Sequence, residues 1–298
     1  MKIVCCWLYA IDKYGFPPSL EHTMQAIREI GDLGFQYCEL EGVGFENLQS
    51  VIDHREEIKT ALQTAKVQLV NFCMVLPEMI SADKQIAERA MKLFEKGADA
   101  AAYMGTSRIW IDSYFPPLNL KSGKAMTQEI GFGQVYQVHI PDGFSWPVFW
   151  EHYVGVIKQA NQIAKSKHLE LLIEPRVGEI APNSDALLRL MDAVGDENLG
   201  VILDTAHMHA QKELLPLSVE KLGKRIRYVH AADNDSRTNE HLLPGEGNID
   251  WDEVFMALKR QGFEDGCYAT DLGESPDLEQ RFVECKRILE SYGQKYGL

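Results

Sequence analysis

A chain of 298 residues, 45% hydrophobic and 25% charged, has the balance of a soluble folded protein and the length for one large core. A formal net charge of −14 and an isoelectric point near 5.1 argue against a nucleic-acid surface, which needs a basic stripe to neutralise phosphates. No run approaches the ~18 apolar residues of a transmembrane helix, so no membrane partner is expected. The six cysteines (Cys5, Cys6, Cys38, Cys73, Cys267, Cys285) show neither a CxxC pair nor zinc-finger spacing. Cys5, Cys6, Cys38 and Cys73 fall in apolar runs and read as buried free thiols, with no disulfide expected in a reduced compartment.

The first eleven residues carry a lysine and then apolar residues, as secretion signals do. No small-residue cleavage site follows, and Asp12, Lys13 and Tyr14 end the run, so the cytoplasm is the expected location. IVCCWLY (3–9) predicts a first strand. A helix capped by Ser19 follows, with Leu20, Met24, Ile27, Ile30 and Leu33 at helical spacing. YCELEGV (37–43) predicts strand two, Asn47 the cap of helix two, and VQLVNFC (67–73) strand three. Helix three is expected from Ser81 to Tyr103 and strand four at SRIWIDS (107–113).

Residues 114–145 carry little periodicity, with Gly123, Gly131, Gly133 and several prolines among Phe115, Phe132, Tyr136 and Phe144. A loop of this length in a folded domain points to a lid or a binding loop. The aromatic residues suit either closure over a substrate or docking of a second subunit, so a homo-oligomer stays open. Helix four is expected over 146–167, strand five over 169–174, a helix capped by Ser184, and strand six over 199–204. A helix through Leu222, strand seven (226–231), a second long loop (232–250) and a helix over 251–261 come next. Strand eight (267–271) and a helix from Pro276 complete the chain. Eight strands alternating with eight helices, without a linker, predict an α/β fold: a single-domain (β/α)8 TIM barrel over residues 1–298. An open dinucleotide-binding sheet would need a glycine-rich turn after strand one, and WLYAIDKYG has none.

The stretch from His168 to Glu274 carries the chemistry. HLELLIEP, LGVILDTAH, IRYVHAADN and GCYATDLGE each begin as an apolar run and end in a metal-capable side chain: Glu174, Asp204, His230 and Asp271. Any one alone reads as a helix cap, because strand ends meet helix starts. Together they read otherwise. Three carboxylates gathered in a barrel mouth repel one another unless a cation sits among them. Three oxygen ligands and one imidazole suit one divalent ion, Mn2+ first, with Mg2+, Co2+ or Zn2+ as alternatives. His230 must bind as neutral imidazole, so affinity is expected to fall at acid pH.

Further polar groups surround this set. His207 comes three residues after Asp204 and faces the same mouth, whereas His209 points elsewhere. Arg176, two residues past Glu174, offers a fork of donors to a substrate oxygen, or neutralises a neighbouring acid. In the second long loop Arg237 and His241 are the candidates for substrate contact, and PGEG (244–247) makes a tight turn that Glu246 anchors.

Glu174, Asp204-x-x-His207, His230 with Asp233-Asn234 after it, and HLLPGEGNIDW (241–251) resemble the xylose-isomerase-like TIM-barrel superfamily, and within it the sugar-phosphate isomerases and epimerases. The resemblance covers residues 169–272 in motif and the first half only in architecture. It implies one divalent metal on Glu174, Asp204, His230 and a final acid, and proton abstraction next to a carbonyl. His207 and Arg237 would touch substrate. Family epimerases end strand eight with Glu, and this chain has Asp271, one methylene shorter. Related apurinic endonucleases need further histidine ligands at positions where this chain has Asn71 and Asp112, and an Asp where it has Asn239, so a trinuclear site is not expected.

The expected function is isomerisation or epimerisation of a ketose or related polyhydroxylated carbonyl compound through a metal-stabilised enediolate. Glu174 would abstract the α-proton, with Asp271 as opposing acid/base or only a ligand. Loss of a β-hydroxyl would make the same site a dehydratase of an inosose- or dehydroshikimate-like substrate. A nuclease of the apurinic-endonuclease type, disfavoured by the missing ligands and the acidity, and a non-catalytic sugar-binding barrel are the readings of other classes.

Overall fold

The computed structural model describes residues 1–121, 137–273 and 275–298. Eight of its strands are β1 (Lys2–Cys5), β2 (Tyr37–Val43), β3 (Gln68–Val75), β4 (Arg108–Asp112), β7 (Glu170–Glu174), β8 (Leu199–Asp204), β9 (Ile226–Ala231) and β10 (Cys267–Thr270). They pair in parallel as a closed ring in the order β1-β10-β9-β8-β7-β4-β3-β2. This is the (β/α)8 barrel that the alternation of apolar runs predicts. A two-stranded antiparallel hairpin, β5 (Asn119–Leu120) with β6 (Val138–His139), stands outside it. Of the loop that the sequence leaves aperiodic, Gly123, Gly131, Phe132, Gly133 and Tyr136 lie outside the described residues, as does Glu274.

Period-2 alternation sorts the side chains. Val4, Val70, Cys73, Trp110, Leu172, Ile202, Tyr228 and Ala269 form one buried cluster that fills the ring. The intervening residues, such as Phe72, Ile109, Ile173, Leu203 and Val229, join a larger cluster against the outer helices. Among the described residues no helix is long and apolar enough to cross a membrane.

The helices differ from expectation where local hydrogen bonds decide. β1 stops at Cys5, and the apolar residues after it begin helix α1 (Leu8–Tyr14), whose Tyr9 packs edge-on against Phe282. Asn47 is not a cap. It lies inside α3 (Gly44–Asp53), accepts from the Val43 amide at 2.9 Å and donates to the Pro18 carbonyl. A second helix, α4 (Arg55–Ala65), follows the break at His54. Helix α5 (Lys84–Met104) is capped by Asp83 rather than begun at Ser81, and α7 (Ser184–Val194) by Asn183 rather than Ser184. Between β8 and β9 the single expected helix is two, α8 (Thr205–Ala210) and α9 (Leu215–Leu222). The remaining helices are α2 (Leu20–Asp32), α6 (Trp146–Ser166), α10 (Trp251–Arg260) and α11 (Leu278–Tyr296). All six cysteines are buried and free.

The long loop after β9 is tied down by one buried acid. Asp233 is fully buried and accepts from the amides of Asn234, Gly245 and Ile249 and from Trp251 Nε1, at 2.8–3.2 Å. Its own amide and carbonyl exchange 2.9 Å bonds with Leu242. Gly247 passes so close that an added Cβ would sit 2.2 Å from Asp233 Oδ1. Replacing Asp233 by Ala leaves four donors without their acceptor, and we expect a loss of about 3 kcal/mol in urea unfolding. A loss below about 1 kcal/mol would show that the loop does not depend on this carboxylate.

Candidate active site

Strands β7, β8 and β9 each deliver a ligand-type side chain at or near the C-terminal end: Glu174, Asp204 and His230. Asp271 follows β10 immediately. Register keeps them in line, with Asp204 opposite His230 and Glu174 opposite Asp112 of β4. All four predicted ligands are buried. His230 Nδ1 lies 2.5 Å from Glu174 Oε1, 3.8 Å from Asp204 Oδ2 and 3.9 Å from Asp271 Oδ2.

On its other side the ring is committed. His230 Nε2 lies 3.0 Å from Oε1 of Glu39, a buried acid of β2. A carboxylate only accepts, so Nε2 carries a hydrogen. Nδ1 therefore faces Glu174 and Asp204 either with a second proton or with a lone pair. Burial pushes the imidazole down, but Glu39, Glu174 and Asp271 outweigh it and hold His230 well above its ordinary range. Burial also drives Glu174 well above the carboxylate range, with Asp204 adding to it and His230 opposing. Asp204 Oδ2, buried at the same spot, has no hydrogen-bond partner among the described residues. One imidazole nitrogen and two carboxylates, one of them with an orphaned buried oxygen, have ligand atoms within 4.8 Å of one another and fit a divalent cation held by Glu174, Asp204 and His230.

The sequence places this arrangement in a known group. Residues 27–278 match the model of the family described as xylose isomerase-like TIM barrel. The chain belongs to that family. A stretch covering 50% of it is 23% identical, over 153 residues, to 56% of fructoselysine 3-epimerase from Escherichia coli O157:H7. Another, covering 33% of it, is 34% identical over 108 residues to 42% of a probable endonuclease 4 from Mycobacterium tuberculosis. The chain thus spans about half the length of these curated relatives. A solved D-tagatose 3-epimerase-like protein superposes with a TM-score of 0.73 at 20% identity, covering 100% of this chain and 98% of its own.

Around the xylose isomerase-like centre the other predicted residues are distributed unevenly. Asp271 has both oxygens engaged. The Cys6 thiol donates to Oδ1 at 3.0 Å, and His241 Nδ1 lies 2.9 Å from Oδ2. Burial pushes Asp271 up, yet His241 and His230, with the bonds from His241 and Cys6, hold it far below the usual carboxylate range. His241 is correspondingly raised to about 9, burial opposing and Asp271 prevailing. His207 lies edge-on to His241 at 5.2 Å and is lowered to about 3, chiefly by burial. The Val177 amide donates to its Nδ1 at 3.4 Å, so its hydrogen sits on Nε2. Arg176 donates to Asp112 Oδ2 at 3.1 Å and comes within 4.0 Å of Glu174. Arg237 stands apart, its side chain 72% exposed and 3.7 Å from Asp235. His209 pairs with Asn248, and Glu246 anchors its turn through Leu243 and Arg281.

Sequence reading misses four residues of this site. Glu39 and Cys6 are two of them. Glu41, also on β2, and Glu179, which accepts from Ser113, are each raised to about 8, first by burial and then by Asp112. One signal was present in the sequence. Glu39 and Glu41 alternate in an otherwise apolar strand and so share a face.

A cation and a proton compete for His230 Nδ1 and Glu174, whose surroundings raise the proton affinity of both, so binding of the ion is linked to release of a proton. Calorimetric titration with Mn2+ should show affinity falling about tenfold per pH unit lowered below neutrality. Affinity that stays level from pH 8 to pH 5 would exclude His230 as a ligand.

Proposed function

We propose that this chain is a divalent-metal-dependent isomerase or epimerase of a ketose or a related polyhydroxylated carbonyl compound. The observation that carries this reading is the contact of Glu174 with His230 and Asp204 at the C-terminal rim of the barrel, where sites on this fold are built. It sets a buried carboxylate of raised proton affinity beside a cation-binding set. Fructoselysine 3-epimerase among the relatives, and a D-tagatose 3-epimerase-like protein on the same fold, support a ketose as the substrate class.

Glu174, Asp204 and His230 would hold the ion, with Asp271 as the fourth ligand. When bound, the ion supplies a Lewis acid that polarises a carbonyl next to a hydroxyl. Glu174 takes the proton from the carbon beside that carbonyl and returns it; burial makes it a stronger base than a surface carboxylate. Isomerisation needs this one base. Inversion at carbon needs a second acid; Asp271, engaged by Cys6 and His241 and held far below the usual carboxylate range, suits the ligand role better than that one. His207 stays neutral near pH 7 and offers Nε2–H to a substrate oxygen, and protonated His241 holds Asp271 in place. Arg176 balances Asp112 and Glu174 and limits repulsion among the acids. Arg237, exposed beside Asp235 on the loop that Asp233 holds, is given no contact with substrate in this reading.

One ion is favoured over three. Among the described residues both groupings of ligand-type atoms share His230, and Asp112 is already paired with Arg176. That argues against a nuclease of the endonuclease 4 kind, as does the net charge of −14.

The purified protein with Mn2+ in 2H2O, given a panel of ketoses, should place deuterium at the carbon next to the carbonyl and yield an isomeric product. Loss of water from the substrate would instead assign a dehydratase. Glu174→Gln should slow both exchange and turnover by about 10²–10⁴-fold. Full activity in Glu174→Ala would end the assignment of Glu174 as the base.

A further inference from the structure

We propose that Glu39 is a positioning residue for His230, fixing the imidazole in the tautomer protonated at Nε2 and turning Nδ1 toward Glu174 and Asp204. This rests on the reading of the site as a metal centre. A neutral imidazole can carry its hydrogen on either nitrogen, and its ring can flip, so a ligand histidine needs an acceptor on one side to select one arrangement. The ring's apolar neighbours do not choose. Trp110 and Tyr228 meet it edge-on at 5.4 and 5.6 Å, which confines its plane without distinguishing its nitrogens.

Glu39 does distinguish them. It is 191 residues away in sequence, only 1% exposed, and its Oε1 accepts from Nε2 at 3.0 Å. Its Oε2 is buried, and the Tyr228 side chain that meets the His230 ring acts on the same carboxylate. The backbone supports the same assignment. Alternation along β2 turns Cys38 and Leu40 to the outer cluster and Glu39 into the ring. There it lies level with Asn71 and reaches a histidine on a strand that is not its neighbour.

The test uses 15N-histidine-labelled protein loaded with Zn2+, and Mn2+ affinity read by the free-ion electron paramagnetic signal. Wild type should show a downfield, exchange-protected proton on His230 Nε2. Glu39→Ala should lose that protection and bind Mn2+ about 10–100-fold more weakly. Glu39→Gln, whose amide oxygen still accepts, should keep the proton on Nε2 and recover most of the affinity. A merely structural glutamate would lower the melting temperature of Glu39→Ala without moving the proton signal or the affinity measured well below it. If Glu39→Ala binds Mn2+ within twofold of wild type, or keeps the protected proton, the proposal is overturned while the metal centre stands. If wild type takes up neither Zn2+ nor Mn2+, both fall. Should Glu39→Ala fail to fold, the wild-type spectrum decides, and an unprotected Nε2 proton there overturns the assignment.

Discussion

At the rim of this barrel one imidazole nitrogen confronts two buried carboxylates at close range, and bare lone pairs repel there. Something positive must lie between them. A proton meets that demand, and the surroundings of His230 and Glu174 raise the proton affinity of both. A divalent cation meets the same demand with more charge. The closed ring of strands makes the confrontation durable, because hydrogen-bonded register fixes Asp204 against His230 and Asp112 against Glu174. A flexible loop would let the groups separate and solvate.

The surrounding charges read as a graded solution to that repulsion. Arg176 is shared by Asp112 and Glu174. His241 is shared between the backbone and the side chain of Asp271. His241 is largely enclosed and Arg176 is partly exposed, 23% of its side chain reaching solvent, so the pairing of His241 is shielded from water more than that of Arg176. The long loop that contributes His241 is in turn held by Asp233, whose four donors come from three separate points along it and from α10. Positions far apart in sequence therefore share the work of keeping acids together.

Much of this was legible in the sequence. The alternation of apolar runs with amphipathic segments determines the barrel, and the acids and histidine at the strand ends, taken jointly, mark its rim. Helix starts were less legible, because Ser81, Ser184 and Asn47 were each one of several residues able to cap; local bonds chose Asp83 and Asn183 instead, and Asn47 went to Pro18. Glu39 escaped for a different reason. Alternation shows which face of β2 it shares with Glu41, but its partner lies three strands further round the ring, so neither spacing nor composition reveals the pairing. Cys6 was read as an inert buried thiol, whereas it donates to Asp271. Arg237 shows the converse: a residue marked by resemblance that faces solvent beside Asp235.

The six unpaired thiols have a consequence for how this protein can be watched. Each is enclosed, and burial lifts each above its ordinary proton affinity, so none presents a thiolate to a water-borne alkylating reagent while the fold is shut. They are spread over β1, β2, β3, β10 and α11, next to one another round one side of the ring. Reaction at any of them reports a transient opening of that side. The chain carries its own clock for breathing of the barrel wall, readable by mass without any added label.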